Sequence, residues 1–221
     1  MSHPDAATDM NPSSVWPRHG LYLITHDEPD TARLLARVEP LLAAGVAMLQ
    51  YRNKSADAAL RRQQANALLN LCREMDVPLI VNDDWRLAAE IGANGAHLGA
   101  GDGEMRSVRD ALGPDFILGA SCYDDLARAE HAATNGASYL AFGAFFASGT
   151  KPLARRADLS LLHDARRFGL PTVAIGGLSP DNASSVLAAG ADLIAVIGAI
   201  FDTPDPLAAT RAFLSCFEPA A

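Results

Sequence analysis

The sequence predicts an α/β fold, a single (β/α)8 TIM barrel, on three observations. After Gly20, short apolar runs alternate with amphipathic segments eight times. The apolar runs carry no polar face, the pattern of parallel strands covered by helices outside the sheet. Glycine closes several helical segments just ahead of the next strand, at Gly45, Gly136, Gly169 and Gly190. A chain leaving a helix there visits a left-handed conformation that glycine takes at no steric cost. A doubly wound sheet is the structural alternative. It more often has about five or six strands and a GxGxxG after the first, and no such loop follows the first run here.

The elements follow in order. "LYLIT" is the first strand and "TARLLARVEPLLAAG" its helix, stopping at Gly45. "VAMLQY" leads into "ADAALRRQQANALLNLCREMD", a long segment rich in good helix formers. "PLIVN" pairs with "DWRLAAEIG", and "GAHLG" with "EMRSVRDALG". "FILGAS" precedes "YDDLARAEHAATNG", and "SYLAFG" precedes "DLSLLHDARRFG". "PTVAIGG" precedes "PDNASSVLAAG", and "DLIAVIG" precedes the closing "PDPLAATRAFLSCF". Residues 1–18 read as a flexible lead-in rich in Pro, Asp, Asn and Ser, and residues 19–221 as one barrel domain.

Composition excludes several classes. A net charge of -8 leaves no basic footprint for nucleic acid. No apolar run reaches the roughly 18 residues of a membrane span, and the start lacks a signal-peptide apolar segment. Cys72, Cys122 and Cys216 form no metal motif and no disulfide framework. A reducing cytoplasm fits that usage. A homo-oligomer remains open.

In a barrel of this kind, active groups collect after the C-terminal ends of the strands. "LQYRNK" puts Gln50, Arg52 and Lys54 after strand 2, spaced by two, with Gln50 and Arg52 on one face if the strand persists. Arg supplies a planar donor fork and Lys a mobile cation, both suited to phosphate. "NDD" after strand 3 offers Asn82, with Asp83 and Asp84 each as readily a helix cap as a metal ligand. Asp102 in "GAGDGE" follows the neighbouring strand, so Asp83 and Asp102 together could share one Mg2+.

Ser121 after strand 5 has no nearby triad partners and reads as a hydrogen-bonding serine. Cys122 reads as a packing residue. The long segment after strand 6 offers Ser148, Thr150 and Lys151. Gly176 and Gly177 permit close backbone approach, with Ser179 and Pro180 opening a helix. Backbone N–H groups of Gly177, Ile197 and Gly198 could cradle a phosphate. His97 reads as barrel packing or a local polar contact, His26 as a residue that could face the mouth, and His131 and His163 as helix surface. Arg155 and Arg156 read as a solvated helix approach or as closers over anions. Phe145 and Phe146 read equally as a shield over the mouth or as apolar anchors of their loop.

This ordered set, "QYRNK", "ND", "GAHLGAGD", "GAS", "GTK", "VAIGG" and "GADLIAVIGAIF", resembles the thiamine phosphate synthase family. The resemblance spans the chain from "LYLIT" onward. It implies an Mg2+-dependent transferase joining a pyrimidine diphosphate to a thiazole phosphate, with release of pyrophosphate. It places Gln50 on the pyrimidine side and Arg52, Lys54, Asn82 and Lys151 on the diphosphate. Asp83 and Asp102 match the Mg2+ ligands, and Ser121 lies beside the reacting substrate. Ser148 and Thr150 match contacts to the thiazole phosphate, and Gly177, Ile197 and Gly198 its backbone cradle. Arg52, Lys54, Ser121 and Lys151 are the implied catalytic groups. Ala100, Ala144, Ser148 and Gly198 depart from the residues common in the family, and none of these departures removes the implied metal or diphosphate set. A thiazole-phosphate tautomerase, a sugar-phosphate epimerase and a phosphate-metabolite sensor are the alternatives, each without use for this full set of anion and metal groups.

Overall fold

The computed structural model describes residues 16–147 and 156–218, and every structural statement below concerns these. Eight parallel strands close in sequence order: β1 Gly20–Ile24, β2 Met48–Tyr51, β3 Leu79–Asn82, β4 Gly95–Leu98, β5 Ile117–Tyr123, β6 Tyr139–Phe142, β7 Thr172–Ile175 and β8 Leu193–Val196. β8 returns to pair with β1, Leu193 opposite Gly20 and Ala195 opposite Tyr22. Closure leaves no sheet edge unpaired. Around the barrel run α1 Thr31–Ala43, α2 Ala58–Glu74, α3 Trp85–Ile91, α4 Met105–Leu112, α5 Leu126–Thr134, α6 Ser160–Ala165, α7 Pro180–Ala189, α8 Gly198–Phe201 and α9 Pro206–Ser215.

The helices begin where local chemistry asks. Asp30, Asp57, Asp84, Asp125 and Asp205 each accept a backbone N–H of the first turn with the side chain, satisfying a donor that the helix leaves free. Ser179 and Asn182 form a reciprocal capping box ahead of Pro180. α3, α7 and the short 3-10 turn after α6 end on Gly92, Gly190 and Gly169, all left-handed. Gly45 and Gly136, one residue beyond their caps, also have positive φ.

Two separate cores result. Leucine, valine and alanine from strands and helices fill the shell between them. Inside the barrel, residues of one parity from every strand but β4 meet: Tyr22, Ile24, Met48, Ile80, Ile117, Tyr139, Ala141, Val173, Leu193 and Ala195. Trp16 packs against this inner core, its ring centroid 5.9 Å from that of Tyr139. Gly95 and Gly119 lie on the same inward parity. A Cβ on Gly95 would fall on the backbone of Ile117, and one on Gly119 on the ring of Tyr139.

β2 ends at Tyr51, so Arg52 stands past the strand, in the loop position read from the sequence. One local feature differs from the sequence reading. A single helical turn, α8, precedes α9, which lets the neighbouring apolar residues Ile200 and Phe201 both reach the core.

Candidate active site

A cavity of about 1180 Å³ opens at the C-terminal ends of the strands. Every strand contributes to its wall, through Tyr22, Gln50, Asn82, His97, Ser121, Ala141, Val173 and Ala195. Arg52, Lys54, Asp83, Asp102, Gly177, Ile197 and Gly198 also line it. Ten of the thirteen residues expected from sequence therefore share one chamber, formed from loops far apart in the chain. Ser148, Thr150 and Lys151 lie outside the described residues, as does Arg155.

The rim is charged and prearranged. Thr25 holds the backbone of Arg52 at both ends, its hydroxyl donating to the Arg52 carbonyl and accepting the Arg52 N–H, each at 2.8 Å. Asp27 accepts from the Arg52 guanidinium at 3.1 Å and from the Lys54 backbone N–H at 3.0 Å. Lys54 Nζ stands 3.8 Å from Asp83 Oδ2. Asp83 takes a left-handed backbone with φ 64, a conformation that costs a non-glycine residue on the order of 1–3 kcal/mol. Its N–H bonds to the His97 carbonyl at 2.8 Å, which ties the bend to the neighbouring strand. Asp102 Oδ2 accepts the Gly99 N–H at 2.6 Å.

Asp83 and Asp102 converge as the sequence implied. Partial burial, then the charge and hydrogen bond of Asp102, hold the Asp83 carboxyl above its usual range, with Lys54 and Asn82 pulling it back. Two carboxylates this close repel unless a proton or cation lies between them. Asp84 takes the separate task of capping α3.

The floor is polar and largely buried. Gln50 Nε2 donates to the Tyr22 hydroxyl at 2.7 Å, and the Tyr22 and Tyr139 hydroxyls lie 2.8 Å apart. Tyr139 Oη is 3.0 Å from His97 Nδ1, and His97 Nε2 is 2.8 Å from Ser121 Oγ. Burial pushes the His97 imidazole down to about 4, so the ring is neutral near neutral pH. It pushes Tyr22 and Tyr139 well above the usual phenol range, so both keep their protons.

At the far side, Gly176 and Gly177 have φ 98 and 65. A Cβ on Gly176 would strike Ala144, and one on Gly177 the backbone carbonyls of Phe146 and Ala147. The glycine pair thus serves close approach to the loop after β6, which hydrogen-bonds back through Phe146 N–H to the Gly176 carbonyl at 3.0 Å. A Cβ on Gly198 would fall on the Asp202 carboxylate, which also lines the cavity.

The remaining sequence candidates sort cleanly. His97 is the local polar contact expected of it. His26 is not part of the cavity wall; it stacks on Phe201 and sits 2.7 Å from Arg37. Phe145 is buried and Phe146 packs on the outer core, which makes them loop anchors. Cys122 is fully buried and its thiol is pushed up to about 12, as fits packing. Arg156, His131 and His163 are exposed. Sequence reasoning missed Tyr22, Tyr139, Asp27 and Asp202. The two tyrosines carried a signal: strand parity puts Tyr22 beside Ile24 on the inward face, where a phenol hydroxyl needs a partner.

A model of the thiamine monophosphate synthase family matches residues 21–200. The chain belongs to this family. A thiamine-phosphate synthase of Methylobacillus flagellatus is 52% identical over 209 residues, covering 95% of this chain and 100% of its own. One from Xanthomonas campestris is 52% identical over 198 residues, 90% of this chain and 95% of its own. A solved thiamine phosphate pyrophosphorylase from Pyrococcus furiosus superposes with a TM-score of 0.80 at 32% identity, covering 91% of this chain and 96% of that one. Family membership makes the chain an enzyme of the transferase class, as the sequence motifs implied. Among the described residues no helix is long and apolar enough to cross a membrane.

Proposed function

We propose that this thiamine phosphate synthase family member joins the 4-amino-2-methylpyrimidin-5-ylmethyl group of a pyrimidine diphosphate to 4-methyl-5-(2-phosphoethyl)thiazole, yielding thiamine phosphate and pyrophosphate. One observation carries the assignment of the site. Asp83 and Asp102 meet at the rim beside Lys54, in the same cavity as Arg52, above a floor that ends in Gln50 and Ser121.

The donor set fits Mg2+. Among the described residues no group of three or more His, Cys, Asp and Glu side chains is placed to hold a metal. Mg2+ is commonly bound through one or two carboxylates, with waters and substrate phosphates completing its shell. The Asp83–Asp102 pair supplies those carboxylates; partial burial and then the Asp102 charge raise the Asp83 carboxyl, and a cation would relieve the second of these. When bound, Mg2+ neutralises charge on the leaving diphosphate.

The chain's own groups do the rest. Arg52 and Lys54 face the diphosphate, joined by Asn82 and by Lys151 from the loop after β6. Their charges stabilise the negative charge that grows as the C–O bond breaks. The pyrimidine methylene left behind is electron-poor, and the aminopyrimidine ring donates into it. The thiazole nitrogen attacks this carbon from the other side. Gln50 orients the pyrimidine, and Ser121 hydrogen-bonds beside the bond that breaks. Backbone N–H groups of Gly177, Ile197 and Gly198 hold the thiazole phosphate, with the hydroxyls of Ser148 and Thr150 as the further contacts that the family resemblance implies. Holding two reactants in one enclosed chamber removes much of the entropic barrier to their meeting.

The test supplies both substrates with and without Mg2+ and identifies the products. Thiamine phosphate and pyrophosphate, formed only with Mg2+, are expected. Isomerisation of the thiazole phosphate alone, without coupling, would replace this reading with the tautomerase.

A further inference from the structure

The barrel floor carries a hydrogen-bonded chain, Gln50–Tyr22–Tyr139–His97–Ser121, with both ends on the cavity and the middle buried. Each phenol has one proton to give, and a neutral imidazole has one N–H. The direction of donation therefore cannot be chosen link by link. A reversal at any one link leaves a buried proton with no acceptor, or two protons facing each other.

Gln50 donates its amide N–H to Tyr22. Tyr22 must then donate to Tyr139, and Tyr139 to Nδ1 of His97. His97 carries its proton on Nε2 and donates it to Ser121 Oγ. The cavity is left the carbonyl oxygen of Gln50, an acceptor, with the amide's second N–H, and the hydroxyl proton of Ser121, a donor. In the opposite direction Gln50 would show the cavity its NH2, and Ser121 would spend its proton on His97.

The floor is shaped to hold this chain. Gly119 lies opposite both His97 and Tyr139 in the sheet. A Cβ there would fall on the Tyr139 hydroxyl and come within 2.6 Å of His97 Nδ1. The backbone thus leaves space at the central link, where a side chain would break it.

We infer that Tyr22, Tyr139 and His97 are positioning residues that lock Gln50 and Ser121 into complementary roles, an acceptor at one end of the cavity and a donor at the other. The inference rests on the assignment of Gln50 and Ser121 to the pyrimidine end of the site. It adds the basis of selectivity there. A heterocycle with an exocyclic amino group donates to Gln50, whereas its oxo counterpart meets the same carbonyl with a second acceptor. Ser121 keeps its proton for an acceptor atom at the reacting end.

The experiment reads the tautomer of His97 in the full-length, substrate-free protein by ¹⁵N NMR, with His97→Gln assigning the signals. In the native sequence the proton sits on Nε2. Gln50→Glu, measured at about pH 8.5 where a carboxyl is ionised, can only accept, so the chain inverts and the proton moves to Nδ1. Tyr139→Phe cuts the chain, and Q50E in that background leaves the proton on Nε2. Tyr22→Phe cuts it one link earlier and serves if Y139F does not fold. An unchanged tautomer in Q50E, an inversion that survives Y139F, or both nitrogens protonated in the native protein would each overturn the inference. No substrate is present, so this result is separate from the coupling assay. With turnover in hand, Y139F lowers the preference for the amino over the oxo pyrimidine diphosphate by roughly tenfold; an unchanged preference in the folded variant counts against the lock.

Discussion

Two buried polar networks in this barrel use the same kinds of group to different ends. One lies outside the sheet, beneath the first two loops. Tyr51 and Asn53 both donate to Gln64 Oε1, at 2.9 and 3.0 Å. Asn53 and Gln64 both donate to the Glu28 carbonyl at 2.8 Å. The Glu28 carboxylate takes Arg33 Nε and Nη2 at 2.7 and 2.6 Å and the Asp30 N–H at 2.9 Å. These bonds run from protein group to protein group, so the network closes on itself. The chain on the barrel floor instead ends at the cavity on both sides. A closed network holds loops in place whatever fills the site. An open one has its last bonds completed by the ligand, so its geometry becomes selectivity.

The comparison breaks most sharply at the rim above the open network. Asp102→Asn or Asp83→Asn should cut Mg2+-dependent turnover by about 100-fold or more, while the melting temperature moves little. Asn tolerates the left-handed backbone at position 83, so a loss of activity there reads the charge rather than the fold. Normal turnover with unchanged Mg2+ dependence in both variants would remove the metal assignment.

The closed network should answer in the opposite currency. Gln64→Leu strands the Tyr51 hydroxyl, takes one acceptor from the Asn53 amide and one donor from the Glu28 carbonyl, and should cost about 2 kcal/mol in urea unfolding with near-normal turnover per folded molecule. A comparable loss of turnover would show that the two networks are not separable. Ser121→Ala is the converse probe. It should lower kcat/KM roughly tenfold, with an unfolding midpoint close to the native one.

The smallest effect is a pH dependence confined to the closed network. The Arg33 guanidinium, with the Asp30 N–H, holds the Glu28 carboxyl down at about 2, against an ordinary value of 4.5. A depressed carboxyl stabilises the fold above its unfolded pKa and loses that contribution as pH falls through the folded one. The stability gap between the native protein and Glu28→Gln should therefore be full above about pH 5 and close as pH falls towards 2. A gap that does not change over that window would mean the ion pair does not set the loop.

Much of this site was legible in the sequence because barrel function sits at strand ends, which are local features. Gln50, Asn82, Asp83, Asp102 and Ser121 each follow an apolar run, and all five line the cavity. Arg52 shows the limit of that logic. β2 stops at Tyr51, so period-two spacing says nothing of how Arg52 is held. The Thr25 hydroxyl takes up the Arg52 backbone N–H and carbonyl instead, a partner from another loop that no spacing rule could supply. The Gly176–Gly177 pair was read as a place of close approach, and it is one. What approaches in the structure is the loop after β6, and only the folded chain could say so.

By itself the sequence determined the eight-fold alternation, the glycine stops and the identity of most of the rim residues. These depend on helix and strand periodicity and on the conformational limits of single residues, all of which act over a few positions. The tertiary structure alone decided that Tyr22 and Tyr139, 117 residues apart, share a hydrogen bond. It also decided that Gln50 and Ser121 terminate one chain. The stagger and tilt of a closed barrel choose which inward side chains face each other across its axis, and that choice belongs to all eight strands together.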